Sequence, residues 1–451
     1  MTLRLDHLRL QNYRCFSSLD LTLDSRMTVI VARNGCGKTA VLDALAVGLG
    51  PFVGSFDTAR GTAFAPSDVR MIQREGEKEG VIMEPLFPLT LEMAGQVGDR
   101  ACSWSRELNS SKSHTTFRHA RCLLEYGKGL QEQVRQSAAS ETTPPLLPLV
   151  SYYGTGRLWG EKRLVAGKRA KTKAAKSRTA GYTDCLDAMS RYKIFADWFE
   201  NLSRSEFEER DHPGPLASIR DHLQSLRQAV DTILGPTGWR RITFRSTRSG
   251  IVAHHPRHGT LAVDQLSDGI RNMVGLAADM AHRAIRLNPH LGTEAVRQTP
   301  GVVLIDEVDM HLHPQWQQGI LQSLKAAFPL VQFVVTTHSP QVITTVKKES
   351  IRLLGNEGTL ETLEADLGTY GARSSRVLAE LFGVSVRPEE IPSVKDLQEY
   401  LRLVEQGKGE SEEARTLRRS LEEDLGSQDP DLLSADARVS QIQFLRERRN
   451  P

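Results

Sequence analysis

The stretch Ala32 to Thr39, ARNGCGKT, constrains this chain more than any other feature. An apolar run from Met27 to Val31 leads into it. Val41, Leu42, Leu45 and Leu49, at helical spacing, lead out of it, so the order is strand, glycine-rich loop, helix, with Gly50-Pro51 as a stop signal. A loop in that place aims successive backbone N–H groups at one point, beside the positive end of the helix dipole, and so forms a cradle for phosphate. Gly35 and Gly37 leave room for the phosphates, Lys38 neutralises β/γ charge, and the Thr39 hydroxyl is a ligand for Mg2+. Asn34, Cys36 and Ala40 complete the nucleotide contacts expected of the loop, while Ala32 stands where a first glycine is usual.

A phosphate cradle of this kind needs an acidic partner. GVVLIDEVD, Gly301 to Asp309, is an apolar strand ending in adjacent carboxylates. Asp306 is expected to hold Mg2+ through water, and Glu307 to polarise the attacking water as general base. Just upstream, QLSDGIRN (Gln265 to Asn272) opens an amphipathic helix whose N-terminal dipole favours an anion, with Ser267 at the N-cap position.

These motifs resemble those of the ABC ATPases. QLSDGIRN is similar to the signature LSGG(Q/E), which implies that Ser267 and Gly269 grip the γ-phosphate of an ATP bound by a second subunit; Asp268 and Ile270 depart from that pattern. VDMHLHPQWQ and FVVTTHSPQVI, between Val308 and Ile343, resemble the D-loop and H-loop of the OLD, RecF and SMC-like branch. That implies a D-loop role for Asp309 and a catalytic γ-phosphate contact for His338, alongside Glu307 and Lys38. His311 and His313 match the HLHP element of that branch, which outweighs a metal site. NYRCF, Asn12 to Phe16, resembles an N-terminal element in which an arginine reaches the nucleotide, here Arg14.

The resemblance extends to YYGTGRLW, GYTDCLDAMSRYKIFADWF, LSDGIRNM and TYGARSSRVLAELFGVSVRP, followed by an acidic helical end. Over most of the chain this ensemble resembles the ATPase subunit of Septu-type anti-phage systems and the related retron-associated ATPases. The resemblance implies a homo-oligomer built on nucleotide-sandwich dimers, and control of a separately encoded HNH endonuclease. The alternative is a RecF/SMC-like DNA-repair or DNA-bridging ATPase without a nuclease partner; long heptad arms would favour it, and none is visible. An OLD-type nuclease would carry a glutamate and Asp-x-Asp at strand ends in the tail, whereas Asp429-Pro430-Asp431 reads as a helix boundary.

Alternating strands and helices predict an α/β fold with a largely parallel core sheet, antiparallel N-terminal strands, a helical insertion and a helical C-terminal tail. The regions read as residues 1–156 (first half of the ATPase domain), 157–238 (basic segment and helical insertion), 239–348 (second half) and 349–451 (helical, partner-binding). The net charge of +3 is too small to name a polyanionic partner. A DNA contact therefore rests on the basic run Arg157 to Arg178, which reads equally as a solvated linker. The five cysteines are scattered without CxxC spacing, which argues against disulfides and zinc and for a reducing cytoplasm. No apolar run of about 18 residues suggests a membrane span.

Overall fold

The computed structural model describes residues 2–33, 35–76, 80–139, 143–157, 177–188, 192–208, 217–245, 250–355, 359–361 and 368–449. The chain divides into two compact units, Met1–Val377 and Leu378–Pro451. Asn34 and most of the basic run, 158–176, lie outside the described residues.

In the first unit an antiparallel sheet has β1 (Thr2–Tyr13) and β2 (Phe16–Thr22) side by side, with order β2-β1-β6-β7 completed by β6 (Leu89–Gly98) and β7 (Arg100–Leu108). The apolar alternation of β1 slips at Asp6-His7, and β1 shifts register against β6 between Leu5 and His7. Beside it, the Leu5 N–H donates to Gln332 Oε1 at 2.8 Å, and Gln332 Nε2 donates to the carbonyls of Leu5 (2.6 Å) and Asp24 (2.8 Å). One buried amide, fully satisfied, thus ties this sheet to the core sheet.

The core sheet is parallel in the order β14 (Ile351–Leu354), β3 (Met27–Ala32), β13 (Val331–Thr337), β12 (Gly301–Ile305), β8 (Leu149–Tyr153), with β15 (Leu360–Glu361) antiparallel at its edge. Every residue of β3, β8, β12 and β13 is buried, as a parallel sheet covered on both faces requires. The covering helices include α1 (Lys38–Val53) and α5 (Asp268–Leu287), both largely buried. The predicted α/β class and its largely parallel sheet are what the chain adopts. Because β14 pairs with β3, the core sheet continues past residue 348, where polarity alone had ended it.

Several local expectations are corrected. Pro51 lies inside the last turn of α1, which runs on to Val53 and ends at Gly54; the Val47 carbonyl that the proline cannot serve accepts instead from Arg106 Nη1 at 2.8 Å. Between α1 and β8 the chain also holds the hairpin β4 (Met71–Gly76) and β5 (Gly80–Pro85) and a helix absent from the reading of residues 1–156, α2 (Arg121–Ala139), whose Leu123, Leu130 and Val134 face inward. Cys102 of β7 and Cys122 of α2, 20 residues apart in sequence, form a disulfide where none was expected; tertiary packing brings together two cysteines that spacing does not relate.

The insertion contains α3 (Tyr192–Glu208) and α4 (Ala217–Leu234), followed by the small antiparallel sheet β9 (Arg240–Arg245), β10 (Gly250–His255) and β11 (Gly259–Ala262). Short helices α6 (Ala295–Gln298), α7 (Pro314–Gln317), α8 (Ile320–Ala327) and α9 (Pro340–Ile343) connect the later core strands. No helix among the described residues is long and apolar enough to cross a membrane.

His282, buried in α5 against the Trp198 ring (centroids 4.4 Å apart), has no hydrogen-bond partner at either ring nitrogen among the described residues. Desolvation depresses its pKa to about 3. The folded state therefore keeps it neutral, while the unfolded chain protonates it below its ordinary value near 6.5. Stability is expected to fall by about 1.4 kcal/mol per pH unit from this group as pH drops from about 6.5 towards 3. Urea titrations of the wild type and His282→Leu across that window should show the slope shrinking in the variant.

In the second unit, α11 (Pro392–Glu405), α12 (Glu412–Leu425) and α13 (Pro430–Arg449) bury a cluster of Leu397, Tyr400, Leu403, Val404, Leu421 and Leu432. α10 (Ser374–Phe382) spans the division between the units. Asp429 caps α13 by accepting from the Asp431 N–H at 3.0 Å, and Arg387 clasps Asp429 and Asp431, which is the helix boundary expected at that turn.

Candidate nucleotide site

The carboxyl ends of β3, β12 and β13 are adjacent in the core sheet, so residues distant in sequence meet there. After β3 the loop turns through Gly35 (φ +83°) and Gly37 (φ +90°), both in the left-handed region that favours glycine. Gly37 is also sterically fixed: a Cβ there would lie 2.5 Å from Cys15 Sγ and from Phe16 Cζ. The β1–β2 turn therefore packs directly on the glycine-rich loop.

Lys38, 7% exposed, opens α1. Its Nζ donates to the Ala32 carbonyl at 3.3 Å and to the imidazole of His338. Burial pushes the Lys38 pKa down, while Glu307, Asp306, Cys36 and Asp309 favour its charged form. Desolvation and then the Lys38 charge depress His338, so at neutral pH its ring is neutral and accepts from the ammonium. Thr39, the next residue, donates from Oγ1 to Asp306 Oδ2 at 2.7 Å.

Asp306 is 1% exposed and its geometry is set from two sides. Thr336 of β13 donates to its Oδ1 at 2.5 Å, and the Asp306 N–H donates to the Tyr153 carbonyl at 2.8 Å. The same Thr336 hydroxyl accepts from the Glu307 N–H at 2.8 Å. Glu307 has φ +45°, a strained backbone for a residue with a side chain, costing on the order of 1–3 kcal/mol. Asp309 accepts from the Thr337 hydroxyl, whose oxygen also accepts from the Ser339 N–H at 2.9 Å. Neighbouring threonines on β13 thus orient two of the three carboxylates that follow β12, Asp306 and Asp309, a signal carried by FVVTTHS.

The structure gathers Gly35, Gly37, Lys38, Thr39, Asp306, Glu307, Asp309 and His338 at one end of the sheet. It gives Ser267, Gly269 and Arg14 other surroundings. Ser267 is exposed at the N-cap position of α5, yet its side chain makes no capping hydrogen bond. Gly269 packs on the turn after β12, where a Cβ would lie 2.3 Å from the His311 carbonyl oxygen, and Asn272 Nδ2 donates to the Met310 carbonyl at 3.1 Å. Gly269→Ala is therefore expected to cost about 1–3 kcal/mol, lowering the thermal midpoint; an unchanged midpoint would count against this packing.

Arg14 has its Nε on Asp68 (2.8 Å) and Nη1 on Asp43 of α1 (2.6 Å), whose other oxygen accepts from the Tyr152 hydroxyl at 2.8 Å. Burial opposes the Arg14 charge, but Tyr13, Asp43 and Asp68 more than offset that and raise its pKa. Here Arg14 is a strut between the β1–β2 turn and α1. To reach a nucleotide it would have to leave these carboxylates.

His313 Nδ1 caps α7 by accepting from the Gln315 N–H at 3.3 Å, and no metal-binding cluster occurs among the described residues. The Thr39 hydroxyl and Asp306 carboxylate are a better match to a metal, being two hard oxygen donors of the kind Mg2+ takes beside phosphate.

A family model for an AAA domain matches residues 7–230, and a second, for an AAA domain described as a putative AbiEii toxin of a type IV toxin–antitoxin system, matches 184–344. Fold and site together define a P-loop domain of the kind these AAA-domain models describe, with a parallel core sheet beside an antiparallel one. Within that class the chain is similar to retron-associated probable ATPases and to Septu PtuA. It is 28% identical to the Retron Ec83 probable ATPase of Escherichia coli, covering 96% of this chain and 85% of that one. It is 25% identical to the Retron Vc95 probable ATPase of Vibrio cholerae serotype O1 biovar El Tor, covering 93% and 87%. Septu protein PtuA of Bacillus mycoides matches at 42% over 34% of this chain and 21% of that one. Among solved structures, the SMC head domain from Thermotoga maritima aligns over 80% of this chain and all of its own, at 14% identity and TM-score 0.41.

Proposed function

We propose that this chain binds ATP with Mg2+, hydrolyses it between two subunits, and through that cycle controls a separately encoded HNH endonuclease in anti-phage defence. The observation that carries the reading is the convergence of Lys38, Thr39, Asp306, Glu307 and His338 at the end of one sheet. The names of its retron and Septu relatives support the defence setting.

Backbone N–H groups of the loop and the Lys38 ammonium bind the β- and γ-phosphates. Thr39 and Asp306 would hold Mg2+, which when bound neutralises the charge that develops on the phosphates. Glu307, set at the strained end of β12, orients and polarises the attacking water. His338 gives up its contact with Lys38 and meets the γ-phosphate. Ser267 and Gly269, at the start of α5 with the Ser267 hydroxyl uncommitted to a cap, grip the same phosphate from the second subunit, and Asp309 lies across that interface. A homo-oligomer built on such dimers, in the cytoplasm and in contact with DNA, is the assembly this reading requires.

The test is to co-express the chain with whatever small protein is encoded beside it and measure nucleic-acid cleavage with and without ATP, using Lys38→Ala as control. Cleavage that needs the partner and responds to ATP upholds the proposal. DNA bridging by the chain alone, with no partner retained, replaces it with the repair-clamp reading.

A further inference from the structure

From Thr232 to Val263 the sequence contains no aspartate or glutamate. This interval supplies the β9–β10–β11 sheet. Arg240, Arg241, Arg245 and Arg257 are all exposed on it, as is His258. The register sets Arg240 opposite His254 and His254 opposite Thr260, with His254 Nδ1 3.3 Å from Thr260 Oγ1, so these three residues share a face. At the register shift between Val252 and His254, Arg241 takes φ +55° and its N–H donates to Asp231 Oδ1 at 2.7 Å. The distorted strand end therefore presents two adjacent guanidiniums.

The charge here is unbalanced, because four exposed arginines lie in an interval that supplies no carboxylate. Exposed Arg4, Arg9, Arg74, Arg135 and Arg402 each pair with a carboxylate. None of Arg240, Arg241, Arg245 and Arg257 forms a salt bridge or a side-chain hydrogen bond among the described residues. The half-buried Asp231 is a single carboxylate acted on by Arg240, Arg241 and Arg227 together. The support is also rigid: His255 Nδ1 accepts from the N–H groups of Arg257 (3.1 Å) and His258 (3.2 Å), and its ring packs 5.2 Å from that of the buried Trp239. Desolvation, then the positive charges of His258, Arg257, His254 and Arg240, hold His255 below its ordinary pKa, in keeping with a neutral acceptor inside a positive field.

We propose that this sheet docks the phosphate backbone of a nucleic acid, with Arg240, Arg241, Arg245 and Arg257 contacting phosphates and no reading of bases. A protein partner is the poorer fit, since protein interfaces are built around an apolar centre and no large apolar side chain is exposed between Thr232 and Val263 among the described residues. A polyanionic backbone needs no such centre. Trp239 and Phe244, the large aromatics beside the arginines, are both buried and offer no stacking platform, which is why base contact is left out. The surface shares no residue with the nucleotide cradle, so the proposal stands apart from the reading of ATP hydrolysis.

The experiment measures binding of labelled duplex DNA, single-stranded DNA and RNA of one arbitrary sequence by fluorescence anisotropy over a salt series. The comparison is between wild type, the triple variant Arg240→Gln, Arg245→Gln, Arg257→Gln, and Arg135→Gln as a control for a paired surface arginine. The triple variant should bind its preferred nucleic acid about tenfold or more weakly near 0.1 M salt, and the slope of log K against log salt should flatten by about 2–3. Arg135→Gln should behave as wild type, and the ATPase rate and thermal midpoint of the triple variant should be unchanged. Independently of any variant, hydrogen exchange of the wild type should show residues 240–262 protected when the oligonucleotide is added. Equal affinity and slope in the triple variant, or no protection of this sheet, overturns the proposal. Failure of the wild type to bind any of the three nucleic acids also overturns it and leaves an acidic protein as the ligand to seek.

Discussion

Glu307→Gln should slow ATP hydrolysis by about 10²- to 10⁴-fold while leaving ATP affinity near that of the wild type. The substitution keeps the side-chain shape and removes the proton acceptor. The backbone that holds it at φ +45°, with its N–H on Thr336, is untouched. In the proposed two-subunit cycle hydrolysis ends the sandwiched state, so the variant should accumulate as an ATP-bound assembly larger than the nucleotide-free protein. Light scattering coupled to size exclusion, run with and without ATP and Mg2+, checks this. Equal oligomer size in the two conditions would sink both the role of Glu307 and the two-subunit site.

Lys38→Ala should fail earlier, at binding. The ammonium is buried beside Asp306, Glu307 and Asp309, so its removal leaves incoming phosphates facing uncompensated carboxylates. A loss of about 2–5 kcal/mol is expected, roughly 30- to 4000-fold in ATP affinity, measurable by calorimetry. The same variant carries a second readout in the nucleotide-free protein. Lys38 is one of the influences that lower His338, so the His338 pKa should rise when the ammonium is gone, and a pH titration of its ring resonances reports that directly. A normal ATP affinity together with an unmoved His338 would contradict the geometry of the cradle.

How much of this was legible in the sequence depended on how local the cause was. The glycine loop, the buried strands before and after it, and the carboxylates that follow β12 are each fixed by a handful of adjacent residues, and their bounds differ from the reading by a residue or two. α2 was missed because only Leu123, Leu130 and Val134 mark its inner face, too sparse a stripe to stand out from a region of hairpins. The bond between Cys102 and Cys122 and the clamp of Gln332 on Leu5 depend on packing between elements that no spacing rule connects. Arg14 shows the same limit in the site itself. Its place in a motif suggested a nucleotide contact, whereas Asp43 and Asp68, which now hold it, are 29 and 54 residues away in sequence.

The order of strands in the core sheet bears on when the protein becomes competent during its own synthesis. β3 emerges from the ribosome almost at once, but both of its neighbours in the sheet, β13 and β14, lie about 300 residues later. At about 5–20 residues per second, the glycine loop waits roughly 15–60 s before the strands that flank it exist. A nascent chain therefore carries no working cradle for most of its translation. Of two subunits meeting on one messenger, only chains already synthesised past β14 have the complete site to contribute.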